Sequence, residues 1–118
     1  MEDLKVYQKL FNLVLDVHKL TMLFPKFELY ELGSQLRRSS NSAAANLAEC
    51  FANKHTNIYA EGISRAQGEI RETRHHLHVA LKKGYLELST CTSLTQEYEE
   101  CSKMLYRLEA SLLRTKRR

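Results

Sequence analysis

"SQLRRSSNSAAANLAEC", residues 34–50, is the stretch on which the fold turns. It keeps helical spacing but fills it with serine, alanine and asparagine, where a helix ordinarily buries large apolar groups. Stepping 100° per residue from Leu29 sorts the segment into two faces. Leu29, Leu32, Leu36, Ser40, Ala43, Leu47, Cys50 and Phe51 make a core side. Gln35, Arg38, Ser42, Asn46 and Glu49 align on a separate stripe about 80° wide. The small residues let a second helix approach closely. A stripe of amide, guanidinium, hydroxyl and carboxylate can knit two helices into one packing if every member is satisfied, or it can line a site.

Outward from this stretch, the helical period persists and no segment alternates as a strand. Four glycines and one proline leave little material for the tight turns of a β-fold. Helices are expected over about 3–24, 28–52, 57–83 and 90–114, in a single domain spanning 1–118. Asp3 is the expected N-cap of the first, which Pro25 stops. Asn57 is the expected cap of the third, Gly84 its C′ residue, and Ser89 or Thr90 the cap of the fourth. In the third helix Tyr59, Ile63, Ala66, Ile70, Thr73, Leu77 and Ala80 fall on one 4-3 line, as do Leu94, Tyr98, Cys101, Leu105, Leu108 and Leu112 in the fourth. That spacing is the seam of left-handed bundles. Short connections make neighbouring helices antiparallel. The sequence thus predicts an all-α fold, an antiparallel up-and-down four-helix bundle.

The first helix carries more apolar surface than one core contact requires. Val6, Tyr7, Leu10, Leu13, Val14, Val17, Leu20 and Phe24 form its main arc, and Phe11, Leu15 and Met22 extend it sideways. An apolar stripe of roughly 100° suffices for a single packing face. Phe11, Leu15 and Met22 are therefore expected to meet another subunit in a homo-oligomer, because such a strip is costly to leave wet.

The net charge of +4 is unevenly placed. Residues 34–83 carry eight Lys/Arg against four Asp/Glu, and this segment accounts for the whole excess. On the third helix Arg71, Arg74, His75, His78 and Lys82 share one edge, roughly 16 Å long at 1.5 Å per residue. Such a ridge can track a phosphate backbone, each contact releasing a counterion, or it can be a solvated face with partners such as Glu72. Arg37 and Arg38 join it as nucleic-acid-binding candidates.

Catalytic signatures are missing: no G-x-S-x-G elbow, P-loop or HExxH occurs. Glu72 and His75 form one Glu-x-x-His unit, but a di-iron bundle needs a second copy and further inward carboxylates. No enzyme activity, small-molecule substrate, cofactor or metal is expected. Cys50, Cys91 and Cys101 form no CxxC pair, and an odd count speaks against a disulfide framework. The charged start "MEDLKVYQKL" has no apolar signal region and no segment reads as membrane-spanning, so a cytoplasmic location is expected.

"LKVYQK" near the start, "FPKFELYELGSQLRRSSNSAAANLAEC" in the second helix, "SRAQGEIRE" in the third and "KKGYL" after it resemble the four-helix bundle family encoded in bacterial 23S rRNA intervening sequences. Gln35, Arg37, Arg38, Ser42, Asn46, Ala48 and Glu49 match the family's second-helix motif, and Ala66, Gly68 and Glu72 its third-helix pattern. Ala43-Ala44 stands where the family often has Ile-Pro, and Cys50 where it has glycine. The resemblance implies a ring-like homopentamer. It also implies kinship with the accessory proteins of diversity-generating retroelements, which bind RNA and a reverse transcriptase. Non-catalytic binding of RNA or a ribonucleoprotein is the function it implies. A protein–protein scaffold that docks partners through surface positions such as Tyr85 and Tyr106 is the alternative.

Overall fold

A computed structural model describes the backbone of residues 4–117 and, over 4–115, the side chains as well. Four helices run up and down: α1 (Lys5–Thr21), α2 (Leu32–Cys50), α3 (Thr56–Lys82) and α4 (Leu88–Arg117), with a single 3-10 turn at Lys26–Glu28 between the first two. Each helix packs on its chain neighbours, and α1 closes the bundle against α4. The result is a rod of 52 × 23 × 22 Å. Among the described residues there is no strand, and no helix is long and apolar enough to cross a membrane.

The predicted seam positions are interior except for Leu108 and Leu112 at the end of the α4 line, which are partly buried against the core. Tyr59, Ile63, Ala66, Ile70, Thr73, Leu77 and Ala80 of α3 are all buried, as are Leu94, Tyr98, Cys101 and Leu105 of α4. Burial at this spacing is the main stabilising term, since the hydrophobic gain scales with apolar area removed from water. Cys50, Cys91 and Cys101 are buried free thiols, and burial pushes the Cys101 thiol up to about 11.

The small residues of α2 do what their size suggests. Ser39, Ser40, Ala43 and Ala44 are buried on the face that meets α1 and α3. A β-carbon on Gly62 of α3 would come within 2.5 Å of the Cys50 sulfur, so the crossing is possible only because position 62 has no side chain. Thr73 Oγ1 donates to Ser39 Oγ at 2.7 Å, a buried hydrogen bond across the same seam.

Several boundaries differ from the sequence expectation. The second helix does not begin at Glu28: residues 26–28 form the 3-10 turn, and Glu31 breaks the chain with φ −104 and ψ −101 before α2 starts at Leu32. Asn57 lies inside α3, whose N-cap is His55. Ser89 and Thr90 lie inside α4, where Cys91 N already donates to Glu87 O at 3.0 Å. Asp3 falls outside the described residues. Gly84 does sit in the left-handed region, with φ +81. Tyr85 N bonds to Ala80 O at 2.9 Å and Gly84 N to Leu81 O at 3.0 Å, which is the Schellman arrangement that closes a helix C-terminus.

Glu28 anchors the α1–α2 connection to the rest of the bundle. Its side chain, 7% exposed, accepts from Lys83 Nζ and from Tyr85 Oη, each at 2.8 Å. One carboxylate thereby ties this connection to the α3–α4 turn, and Phe24 stacks against the Tyr85 ring beside it at 5.4 Å. Tyr85 is thus half-buried and committed, not a free docking position. The Lys83 and Tyr85 hydrogen bonds hold the Glu28 carboxyl below its ordinary 4.5.

Gly62→Ala should destabilise the bundle by roughly 1–3 kcal/mol through overpacking, and adding Cys50→Gly should recover most of that stability; chemical denaturation of the double-mutant cycle checks this. Tyr98→Phe should raise the melting temperature, because the buried Tyr98 hydroxyl has no hydrogen-bond partner among the described residues. Folding favours ionised Glu28, so its contribution is complete above pH 4.5 and fades as pH falls through the lowered folded value. Glu28→Gln should therefore melt lower than the parent at pH 7, and the gap should close toward pH 3.

Candidate nucleic-acid interface

The buried line of α3 fixes where its other side chains go. With Tyr59 through Ala80 turned inward, Arg71, His75, His78 and Lys82 are exposed along the outer edge. Arg74, on the same edge, is half-buried because it leans to α4 and donates to Glu99 Oε1 at 3.0 Å. The ridge read from the sequence is thus one continuous face of the molecule.

What the sequence reading missed is the second wall. Gln67 Nε2 donates to Ser102 O at 2.9 Å and pins α4 alongside α3. That register places Lys103, Tyr106 and Arg107 beside Arg71 and Arg74, around an open groove of about 580 Å³ that Ser64, Gln67 and Glu109 also line. The 3-4 spacing of Lys103, Tyr106 and Arg107 on the outer side of the α4 seam was the available signal, but only docking of α4 on α3 joins the two sets.

Charge pairing decides which cations are free. Among the described residues Arg71, Lys82 and Lys103 have no ion-pair partner. Arg74 faces Glu99, and Arg107 lies 3.9 Å from Glu100. Both pairs are solvent-exposed, so they contribute little and exchange readily for a phosphate. Glu72, the expected neutralising partner of the ridge, is turned away: Arg38 Nη2 donates to Glu72 Oε2 at 2.7 Å across the α2–α3 seam. The Arg38 hydrogen bond lowers the Glu72 carboxyl, while burial, with Glu72 next to it, raises that of Glu69. His76, largely buried, is held below its ordinary value by desolvation, and its Nε2 stands 3.7 Å from Glu72 Oε1.

Arg37 and Arg38 are not ridge residues. Arg37 donates through Nη1 to Thr21 Oγ1 at 2.9 Å and through Nη2 to Leu29 O at 2.7 Å, locking α2 onto the α1 terminus. Two of the Arg37 guanidinium donors are thereby committed within the bundle. Arg38 is exposed but directs its charge to Glu72 and Glu69. The polar stripe of α2 is not buried within the bundle either. Gln35 and Glu49 are exposed, Ser42 and Asn46 half-buried, and Asn46 Nδ2 donates to the backbone oxygen of Ser42 at 2.8 Å. The buried polar contact between α2 and α3 is Ser39–Thr73 instead. Asn46 and Glu49 line a smaller hollow of about 250 Å³ with Cys50, Gly62, Glu61 and Arg65.

The wide arc of α1 lies open in the single chain, with Phe11 48%, Leu15 49% and Met22 53% exposed. Among the described residues no group of three His, Cys, Asp or Glu side chains could hold a metal. His75 of the Glu-x-x-His unit packs edge-on against His76 at 5.4 Å, and Glu72 belongs to Arg38.

No curated protein gives a sequence match. A solved structure from Bacteroides thetaiotaomicron, described as a protein with unknown function from the S23 ribosomal protein family, superposes with a TM-score of 0.84 at 21% identity. The alignment covers 93% of this chain and 99% of that one, and at this identity it shows a shared fold. The model of the 23S rRNA-intervening sequence proteins matches residues 2–107, nearly the whole bundle. The chain belongs to the 23S rRNA-intervening sequence protein family.

Proposed function

We propose that this chain is a non-catalytic RNA-binding protein of the cytoplasm that works as a homopentamer and contacts the phosphate backbone through its α3–α4 face. The observation that carries this reading is the uncompensated charge there. Arg71, Lys82 and Lys103 are unpaired among the described residues, while Glu72 of α3 is paired with Arg38 and Glu99 and Glu100 of α4 with Arg74 and Arg107. One such face is a modest attractor. Repeated around a ring it becomes multivalent, so weak contacts add as effective concentration. The exposed Phe11, Leu15 and Met22 of α1 supply the surface that a second subunit would cover. The family's name, which ties these proteins to intervening sequences of 23S rRNA, supports RNA, free or as ribonucleoprotein, as the proposed partner class.

A second reading is an oligomeric protein–protein scaffold. The strongly exposed Leu23, Phe27 and Tyr30 at the α1–α2 connection favour it, being apolar groups that no core position claims. Salt separates the two, since phosphate contacts weaken steeply with added salt whereas apolar docking does not.

Charge reversal at two unpaired groove cations, Arg71→Glu with Lys103→Glu, should spare the assembly, because neither residue has an ion-pair partner to give up among the described residues. Light scattering should give about five times the 13.7 kDa chain mass for parent and variant alike. RNA affinity should fall tenfold or more, and the log–log salt slope should shrink by roughly 0.7–0.9 for each phosphate that is no longer neutralised. A parent that scatters as a monomer contradicts the pentamer. A variant that binds RNA like the parent across salt contradicts the α3–α4 face and puts the scaffold first.

A further inference from the structure

The cations of the α3–α4 groove do not account for Tyr106. Its ring is 68% exposed and, among the described residues, has neither a ring contact nor a hydrogen-bond partner. The core on this side is already filled by Tyr98, Cys101 and Leu105, so the ring is not spare packing. It stands in the groove one helical turn after Lys103 and immediately before Arg107, facing the α3 wall of Ser64, Gln67, Arg71 and Arg74.

We propose that this groove takes a single-stranded stretch of RNA, with a nucleobase stacked on the Tyr106 ring and the adjoining phosphates on Arg71 and Lys103. The inference rests on the RNA-binding reading and names the form of RNA. Aromatic rings beside a cationic track are how single strands are held without sequence readout, because every base offers a π-face. A duplex keeps its bases stacked on one another and offers Tyr106 no face. Packed helices lie about 8–10 Å apart, so a groove between them suits one strand and a duplex could touch only its rims. The wall from Ser64 to Arg74 is about 15 Å long at the helical rise, room for a short run of nucleotides.

The acidic residues give the strand a polarity of contact. Glu109 lines the groove at the Tyr106 end, and Glu99 and Glu100 stand beside Arg74 and Arg107 in weak, exposed pairs. A phosphate is repelled near Glu109, where a neutral base is not. The ring end therefore takes a base, and the unpaired Arg71 and Lys103 take phosphate.

The chain has no tryptophan, so Tyr106→Trp introduces a single reporter. We expect its fluorescence to be quenched on titration with an unstructured RNA of about 12 nucleotides, and much less with a hairpin duplex of similar charge. Tyr106→Ala in the full-length oligomer should weaken single-strand binding roughly tenfold while leaving duplex binding and melting temperature unchanged, and Tyr106→Phe should restore it. If the parent binds RNA and Tyr106→Ala binds it equally well, or the tryptophan is not quenched by the bound single strand, the stacking proposal is overturned and the RNA-binding reading stands. If the parent binds neither RNA at low salt, the reading beneath it falls. An acidic peptide that quenches the tryptophan where single-stranded RNA does not would overturn it in favour of protein docking.

Discussion

A methyl group at position 62 would collide with Cys50, and that exclusion sets how closely α2 and α3 can lie. The serine- and alanine-rich middle of α2 follows from the same constraint, since larger side chains would push the two backbones apart. Close approach also brings Ser39 and Thr73 within hydrogen-bonding distance and lets Arg38 reach Glu72. The second consequence reaches furthest. With Glu72 paired to Arg38 of α2, its chain neighbour Arg71 on the outer edge of α3 has no ion-pair partner among the described residues. Packing at one crossing thus shapes the electrostatics of a face on the far side of the helix.

The corners of the bundle keep the two exposed features apart. α1 packs on α2 and α4, and α3 on the same two helices, so α1 and α3 stand diagonally opposite. An assembly built through the apolar arc of α1 would leave the α3–α4 groove facing outward. Apolar contact and cationic face then do not compete for surface.

Much of this was legible in the sequence because burial follows a period. The 4-3 lines of α3 and α4, the small-residue face of α2, the ridge from Arg71 to Lys82 and the Gly84 stop all depend on spacing within one helix. What the sequence did not show depends on contacts between helices. Leu29 and Leu32 keep helical spacing through residues 29–31, and no glycine or proline marks the break at Glu31. The break becomes intelligible only with Lys83 and Tyr85 in place around Glu28, more than fifty positions along the chain. Arg37 and Arg38 are adjacent and chemically alike, yet one turns back to Thr21 and the other crosses to Glu72. Angular position cannot separate a structural arginine from a free one when the stem is long and flexible. Lys103, Tyr106 and Arg107 gain meaning only when Gln67 fixes α4 against α3.

RNA held on the α3–α4 face, as proposed, leaves a footprint on that face that can be mapped. Ultraviolet crosslinking of the intact oligomer to bound RNA, followed by mass spectrometry of the nucleotide-bearing peptides, gives that map without altering a residue. Adducts are expected on the peptides that carry Arg71 to Lys82 and Lys103 to Arg107, with Tyr106 itself among the modified positions. Adducts confined to α1 or the α1–α2 connection, or RNA that never crosslinks although it is retained, would contradict it.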